Sequence, residues 1–294
     1  MGVEIESRQG VCEAGAPSGP ITSVVDCGGG TIGYGAYDSG VGFVGPDGVR
    51  RTLGHHDHLV NHVAADPTGR FLASSSSDYT VGIWDLALGR RVARLDGHSD
   101  DVEAFTFLSD GYGVSASRDS SLIVWDLDNQ APIHRLRGHE SDALSVSTDG
   151  QQIYSSGDDM TLRVWDAASG VLNHTFGPFT EETDTCDVDV ARGRAVLGCD
   201  DGCVRVFDIE RATLAGEISA HRSGIKKVAV STTGHIFSAA YDQHLLVWDP
   251  ESHELVAELD RPPGVWERSL SWGRDGTSVF AGTFDGGVIS WSIA

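Results

Sequence analysis

The sequence has 294 residues, of which 40% are hydrophobic, and a formal net charge of −22 at pH 7. No apolar run approaches the length needed to span a membrane, which excludes a membrane-spanning helix. A surface this acidic repels nucleic acid and anionic membranes over a Debye length of about 8–10 Å, so neither is expected as a partner.

One short motif recurs along the chain. Its first copy, residues 38–45, keeps an Asp and an apolar run but has Val44 where an aromatic residue stands in the later copies. Each later copy begins with Asp, continues with a β-branched run typical of a strand, and has Trp or Phe six positions after the Asp. These copies lie at residues 78–85, 119–126, 159–166, 201–208, 242–249 and 285–292. From Val44 onward the anchor positions are 40, 41, 40, 42, 41 and 43 residues apart, so seven copies fill the chain.

Each full unit predicts four strands. In residues 98–137 the strands are expected at 102–107, 113–117, 122–125 and 133–136, with turns at Asp110-Gly111 and Arg118-Asp119. Similar units begin near His56, His139, Thr180, His221 and Pro263.

The repeated pairs resemble a known family. Gly97-His98 with Trp125-Asp126, and Gly138-His139 with Trp165-Asp166, are similar to WD40 repeats. The resemblance implies an all-β, seven-bladed WD40-type β-propeller of four-stranded antiparallel blades, forming a single domain over residues 1–294.

The last unit predicts how the ring closes. The sequence stops three residues after Trp291, which leaves the seventh blade without its outermost strand. A segment within residues 3–14 is expected to supply it, either Val11 to Ala14 or a neighbouring register reaching back to Val3. This strand would pair with residues 288–291.

The resemblance also implies a structural hydrogen-bond network, in which Asp orients His, His contacts Ser, and Ser contacts the indole nitrogen. A catalytic Ser-His-Asp reading is disfavoured because the set recurs. The residues assigned to it are His56, Ser76, Asp78 and Trp84; His98, Ser117, Asp119 and Trp125; His139, Asp159 and Trp165; and His221, Asp242 and Trp248. The third and fourth sets have Gly157 and Ala240 at the serine position, unless Ser155 and Ser238 substitute.

Two positions per unit are implied to face the narrow top of the ring, where WD40 partners commonly dock. They are the residue before the turn Asp and the start of the inner strand. The aromatic and basic members are Tyr37, Tyr241, Trp266, Arg268 and Phe284. An acidic arc, with one arginine among its members, comprises Asp101, Glu103, Arg118, Asp142, Asp158, Asp184 and Asp200.

The expected function is a non-enzymatic scaffold that binds a basic protein or peptide on the top face, as a monomer or as a subunit of a hetero-complex. One alternative is a small-molecule or enzymatic propeller that uses the central channel. The other is a rigid subunit that binds through its sides or bottom.

No cofactor or metal is expected. The histidines at positions 55, 56, 58 and 62 are interpreted as a fortuitous cluster. The five cysteines lack metal-ligand spacing and are interpreted as packing thiols in a reducing compartment, so the expected location is the cytoplasm.

Overall fold

The computed structural model describes residues 5–10, 19–108 and 111–293. Its strands form seven four-stranded antiparallel sheets, and each sheet is one blade. The first three blades comprise β2 (Ile21–Gly28), β3 (Thr31–Ala36), β4 (Gly40–Val44) and β5 (Arg50–His55); β6 (Val60–Ala65), β7 (Phe71–Ser76), β8 (Thr80–Asp85) and β9 (Arg90–Asp96); and β10 (Val102–Phe107), β11 (Tyr112–Ser117), β12 (Ser121–Asp126) and β13 (Ala131–Arg137).

The remaining blades follow the same order from the inner strand outward. Blades 4 and 5 comprise β14 (Ala143–Thr148), β15 (Gln152–Gly157), β16 (Leu162–Asp166) and β17 (Leu172–Phe176); and β18 (Thr185–Asp189), β19 (Arg194–Gly198), β20 (Cys203–Asp208) and β21 (Thr213–Ser219). Blade 6 comprises β22 (Ile225–Val230), β23 (Ile236–Ala240), β24 (Leu245–Trp248) and β25 (Leu255–Leu259), and blade 7 contains β26 (Val265–Trp272), β27 (Ser278–Thr283) and β28 (Val288–Ile293).

Blade 7 is completed by the N-terminal strand β1 (Ile5–Gly10), which pairs antiparallel with β28 and aligns Ser7 with Trp291. The predicted fold class, including closure by an N-terminal strand, is confirmed. The closing strand has the register that reaches back toward Val3, whereas residues 11–14 lie outside the described part of the chain.

The core lies between blades. One cluster joins Ala73, Val81 and Ile83 of blade 2 to Phe105 and Trp125 of blade 3. Each large indole buried in this way contributes roughly 4–6 kcal/mol before conformational entropy is subtracted. The motif tryptophans therefore hold neighbouring blades together.

Burial decreases from the middle of a blade outward. Every residue of β8 is buried, whereas most of the outer strand β17 is exposed. The turns between second and third strands, and the connections between blades, lie on one face, which we call the top. The bottom carries the turns between first and second and between third and fourth strands. Among the described residues there is no helix long and apolar enough to cross a membrane.

Candidate functional site

The repeated histidine network is assembled around a serine of the second strand. In blade 2, Ser74 Oγ lies 2.7 Å from Trp84 Nε1 and 2.7 Å from His56 Nε2. The Ser74 hydroxyl accepts the indole N–H and makes a second hydrogen bond with His56 Nε2. On the other side of the ring, His56 Nδ1 donates to the Asp78 carboxylate, 2.8 Å away.

The same arrangement occurs in three further blades. The serine, histidine, aspartate and tryptophan are Ser115, His98, Asp119 and Trp125 in blade 3; Ser155, His139, Asp159 and Trp165 in blade 4; and Ser238, His221, Asp242 and Trp248 in blade 6. The predicted substitutes Ser155 and Ser238 thus occupy the serine position.

The assignments of Ser76 and Ser117 to this position are wrong. In blade 2 the strand register pairs Leu72 with Trp84, which places Ser74 two residues beyond the indole's partner and Ser76 four beyond it. Both serines face the same side of the strand, since side chains alternate with period two, but only the nearer one reaches the indole. The hydroxyl of Ser76 instead donates to the Leu59 carbonyl at 2.8 Å, and that of Ser117 donates to the Asp100 carbonyl at 3.1 Å.

The network has the electrostatics of a structural unit. Burial would raise the pKa of Asp78, but hydrogen bonds from His56 and Thr80 outweigh it and hold the pKa below its usual range. The carboxylate also accepts the Asp57 amide at 3.0 Å. The network thereby joins the segment that leads into blade 2, at His56 and Asp57, to the top turn at Asp78. Each polar group in the network has a partner.

Much of the predicted acidic arc is neutralised within the chain. Arg118 binds Glu103 at 2.5 Å and Asp142 at 3.2 Å. Lys226 Nζ of blade 6 lies 2.6 Å from Asp184 and 2.7 Å from Asp200, both of blade 5. These two contacts therefore join neighbouring blades.

Asp101 of the arc is held by a hydrogen bond instead of an ion pair. Asp101 accepts a hydrogen bond from Ser77 at 2.8 Å, and Ser77 in turn accepts one from Asn61 at 3.1 Å. The structure thus brings the predicted inner-strand and turn positions together, but as a network whose charge is largely compensated.

Two carboxylates at the junction of blades 4 and 5 differ from the others. Asp158 is half-buried and Glu182 is exposed, and among the described residues neither side chain has a hydrogen-bond or ion-pair partner. Burial, followed by repulsion from Glu182, Asp142 and Asp184, raises the pKa of Asp158 to about 6. Negative charge is therefore concentrated here.

These carboxylates also include the group that could hold a metal ion. One oxygen each from Asp158, Glu182 and Asp184 lies within 4.8 Å of the others. Asp184 is already bound to Lys226 and Arg268, which leaves two free carboxylates. That arrangement suits one side-chain cation better than a metal ion, which needs more free oxygen ligands.

The opposite part of the rim is aromatic. The rings of Trp266 and Phe284 stack at 5.3 Å with planes 19° apart, and Phe284 is 50% exposed. Tyr241 is also exposed and has Lys226 Nζ 5.0 Å from its ring centroid, while Tyr37 is exposed at the equivalent position of blade 1.

Glu182 was not among the predicted site residues. The available signal was the fifth unit, which has Gly177-Pro178 in place of the usual Gly-His pair, followed by a longer acidic loop at residues 180–184. Glu182 lies in this loop, and its carbonyl accepts the Asp200 amide at 2.9 Å.

The central channel is a cavity of about 340 Å³ lined by the inner strands. Burial lowers the pKa of Lys227, and burial together with the Lys227 charge lowers the pKa of His62 to about 3. His62 lies in this lining while His56 belongs to the blade 2 network, so the histidines predicted to be a fortuitous cluster belong to separate environments.

Comparison with known proteins supports the repeat assignment. A family model described as "WD domain, G-beta repeat" matches residues 48–85, 89–126, 130–166 and 212–249, together just over half of the chain. The WD40 beta propeller domain of Doa1 superimposes with a TM-score of 0.84 at 18% identity, covering 98% of this chain and 97% of that one.

Curated relatives match over most of this chain but only part of their own length. Autophagy-related protein 16 of Arabidopsis thaliana is 27% identical over 251 residues, which are 84% of this chain and 41% of that protein. The human kinesin-like protein KIF21A is 28% identical over 206 residues, which are 65% of this chain and 12% of that protein.

Proposed function

The chain belongs to the WD40-repeat family, whose propellers generally serve as non-enzymatic scaffolds for protein partners, and from this premise we propose that it is an adaptor that binds a basic protein or peptide segment on its top face. The observation that carries this proposal is the unpaired Asp158 and Glu182 on a rim where Arg118, Lys226 and Arg268 neutralise other carboxylates. A lysine or arginine of the partner would supply the missing countercharge.

The aromatic part of the rim supplies a second anchor. Trp266 and Phe284 form a rigid stacked pair whose outer ring is half exposed. Tryptophan and arginine, here Trp266 and Arg268, are among the residues enriched at interface hot spots. The preferred segment therefore combines a basic residue for Asp158 and Glu182 with a large apolar residue for the Trp266–Phe284 pair.

The charge of the whole molecule favours the same partner class. A net charge of −22 attracts a basic protein surface and repels nucleic acid and anionic membranes. Free thiols at Cys27, Cys186, Cys199 and Cys203 support a reducing compartment, and we place the function in the cytoplasm. The chain would act there as a monomer or within a hetero-complex.

A displayed random peptide library selected on the immobilised protein tests this proposal. Selected peptides are expected to be enriched in Lys or Arg together with an aromatic residue. Binding should weaken about tenfold or more in an Asp158→Asn, Glu182→Gln double variant and in a Trp266→Ala, Phe284→Ala double variant.

Glu210→Gln and Leu214→Ala provide matched controls, because both residues are exposed and lie toward the bottom in blade 5. Equal binding by wild type and both top-face variants, once the variants are shown to be folded, would overturn the top-face assignment.

A further inference from the structure

Grooves open between neighbouring blades on the lower outer surface, and three of them differ in volume. The groove between blades 2 and 3 has a volume of about 590 Å³, compared with 350 Å³ between blades 3 and 4 and 200 Å³ between blades 4 and 5. All three are built from the outer strand of one blade and the bottom turns of the next.

One residue of the outer strand differs among these three grooves. In blades 3 and 4 the residue paired with the central valine of the third strand is a histidine, His134 opposite Val124 and His174 opposite Val164. In blade 2 the equivalent residue, opposite Ile83, is Ala93.

Each histidine occupies part of its groove. His134 donates from Nε2 to the Ala168 carbonyl of blade 4 at 2.9 Å. The ring of His174 packs against that of Phe176 at 4.4 Å. Between blades 5 and 6, His253 fills the same kind of space above Gly216, where an added Cβ would meet the imidazole at 2.0 Å. Ala93 leaves the corresponding volume open between blades 2 and 3.

The open groove is apolar inside and acidic at its edge. Its walls include Phe71, Ile83, Leu88, Val92, Ala93, Phe107 and Leu127. On one rim Asp85 is paired with Arg70 at 2.8 Å, but on the other rim Asp128 is exposed and has no partner among the described residues.

We propose that this groove is a second docking site, which binds the aromatic side chain of a partner segment whose neighbouring Lys or Arg pairs with Asp128. The ring takes the place that His134 and His174 occupy in the adjacent grooves. Leu88, which is 57% exposed at the groove, gains burial when the ring enters. A second copy of this chain is a poorer occupant, because two molecules that each carry a net charge of −22 repel one another.

The groove is separate from the top-face site. The grooves open on the outer, lower part of the ring, whereas Asp158, Glu182, Trp266 and Phe284 belong to the top face. Two partners could therefore bind at once, and the propeller would hold them at a fixed separation.

Short capped peptides test the proposal. The probes are acetylated and amidated Lys-Phe-Lys, Lys-Ala-Lys and Glu-Phe-Glu, titrated into the full chain while amide resonances are recorded by NMR. Lys-Phe-Lys is expected to shift the amides of Ala93, Gly111 and Leu127, and to bind about tenfold more tightly than either of the other peptides.

Ala93→His is the decisive variant, since it introduces the ring that the next two blades already carry. It should keep the fold and weaken Lys-Phe-Lys binding at the groove about tenfold or more. Leu88→Glu, at an exposed position, is the second variant and should weaken binding without disturbing the core. The Trp266→Ala, Phe284→Ala variant should leave the groove shifts unchanged, which separates this site from the top face.

Groove shifts that persist in both Ala93→His and Leu88→Glu would overturn the proposal. It would also be overturned if Lys-Phe-Lys shifted only top-face amides, or if sedimentation showed self-association that Ala93→His abolished, which would identify a second copy as the occupant.

Discussion

Arg268 in blade 7 reaches past blade 6 and lies 3.2 Å from the carboxylate of Asp184 in blade 5. Lys226 of blade 6 binds the same carboxylate oxygen at 2.6 Å. The side chains of Asp184 and Lys226 are 5% and 7% exposed, whereas that of Arg268 is 41% exposed. Three consecutive blades are therefore joined at the rim through one buried acceptor.

Replacing Asp184 with Asn should destabilise the propeller, because it leaves the largely buried Lys226 with Asp200 alone as a countercharge. We expect a loss of about 2–4 kcal/mol in the free energy of unfolding, measured by urea denaturation. Arg268→Gln should cost less than about 1 kcal/mol, since its partner keeps Lys226 and its own side chain is largely solvated. Equal losses in the two variants would contradict this hierarchy.

The serine of the blade 4 network offers a closely matched pair of substitutions. Ser155→Ala removes the common partner of His139 Nε2 and Trp165 Nε1, both buried, and should cost about 1–3 kcal/mol. The adjacent Ser156 is also buried, but its hydroxyl interacts only weakly, with the thiol of Cys186, so Ser156→Ala should be nearly neutral. A thermal scan of both variants checks the contrast, and a Ser155→Ala protein as stable as wild type would contradict it.

The sequence predicts the ring of blades but not which serine of a strand contacts the motif tryptophan. The spacing of the motif tryptophans determines the number of blades, because each indole marks the end of a third strand. It does not discriminate Ser74 from Ser76, since both are serines on the same face of β7 and only the pairing of Leu72 with Trp84 selects one. Strand register is a property of two segments together, which a pattern within one segment does not specify.

The charge of the rim was also beyond sequence reasoning. Four acidic residues of the rim look alike in the sequence: Glu103, Asp142, Asp184 and Asp200. In the fold, each has a cationic side chain within 3.2 Å that compensates its charge. For Asp184 the cation of Arg268 comes from a residue 84 positions away. Charge patterns within single repeats therefore predict which face is acidic, but not which carboxylates are free.

The closing strand β1 provides the third test. Removing residues 1–10 exposes the whole edge of β28, whose six register pairs with β1 would be lost. We expect a loss of about 3 kcal/mol or more in the free energy of unfolding, together with self-association through the open edge. Removing residues 1–4 alone retains β1 and serves as the control. The experiment is read by thermal unfolding and by size-exclusion chromatography, and a monomer of unchanged stability after the longer deletion would contradict the role assigned to β1.

The pH dependence of stability tests the unpaired charge at the junction of blades 4 and 5. Burial and neighbouring carboxylates raise the pKa of Asp158 to about 6, above the value of 3.8 for an unperturbed aspartate. Between these two values the folded state binds more protons than the unfolded state, so the free energy of unfolding falls as the pH rises through this window. The destabilisation caused by ionised Asp158 is absent below the lower pKa and complete above the higher one.

Asp158→Asn removes the destabilisation caused by the ionised carboxylate. The variant should therefore have a higher melting temperature than wild type at pH 7.5, and the difference should shrink as the pH falls from 6 to 4. Asp128→Asn carries the same change in net charge at an exposed site on the bottom and controls for overall repulsion. If Asp158→Asn gave the same shift as Asp128→Asn at every pH, the local concentration of charge would not exist, and the basic anchor proposed for the top face would lose its physical basis.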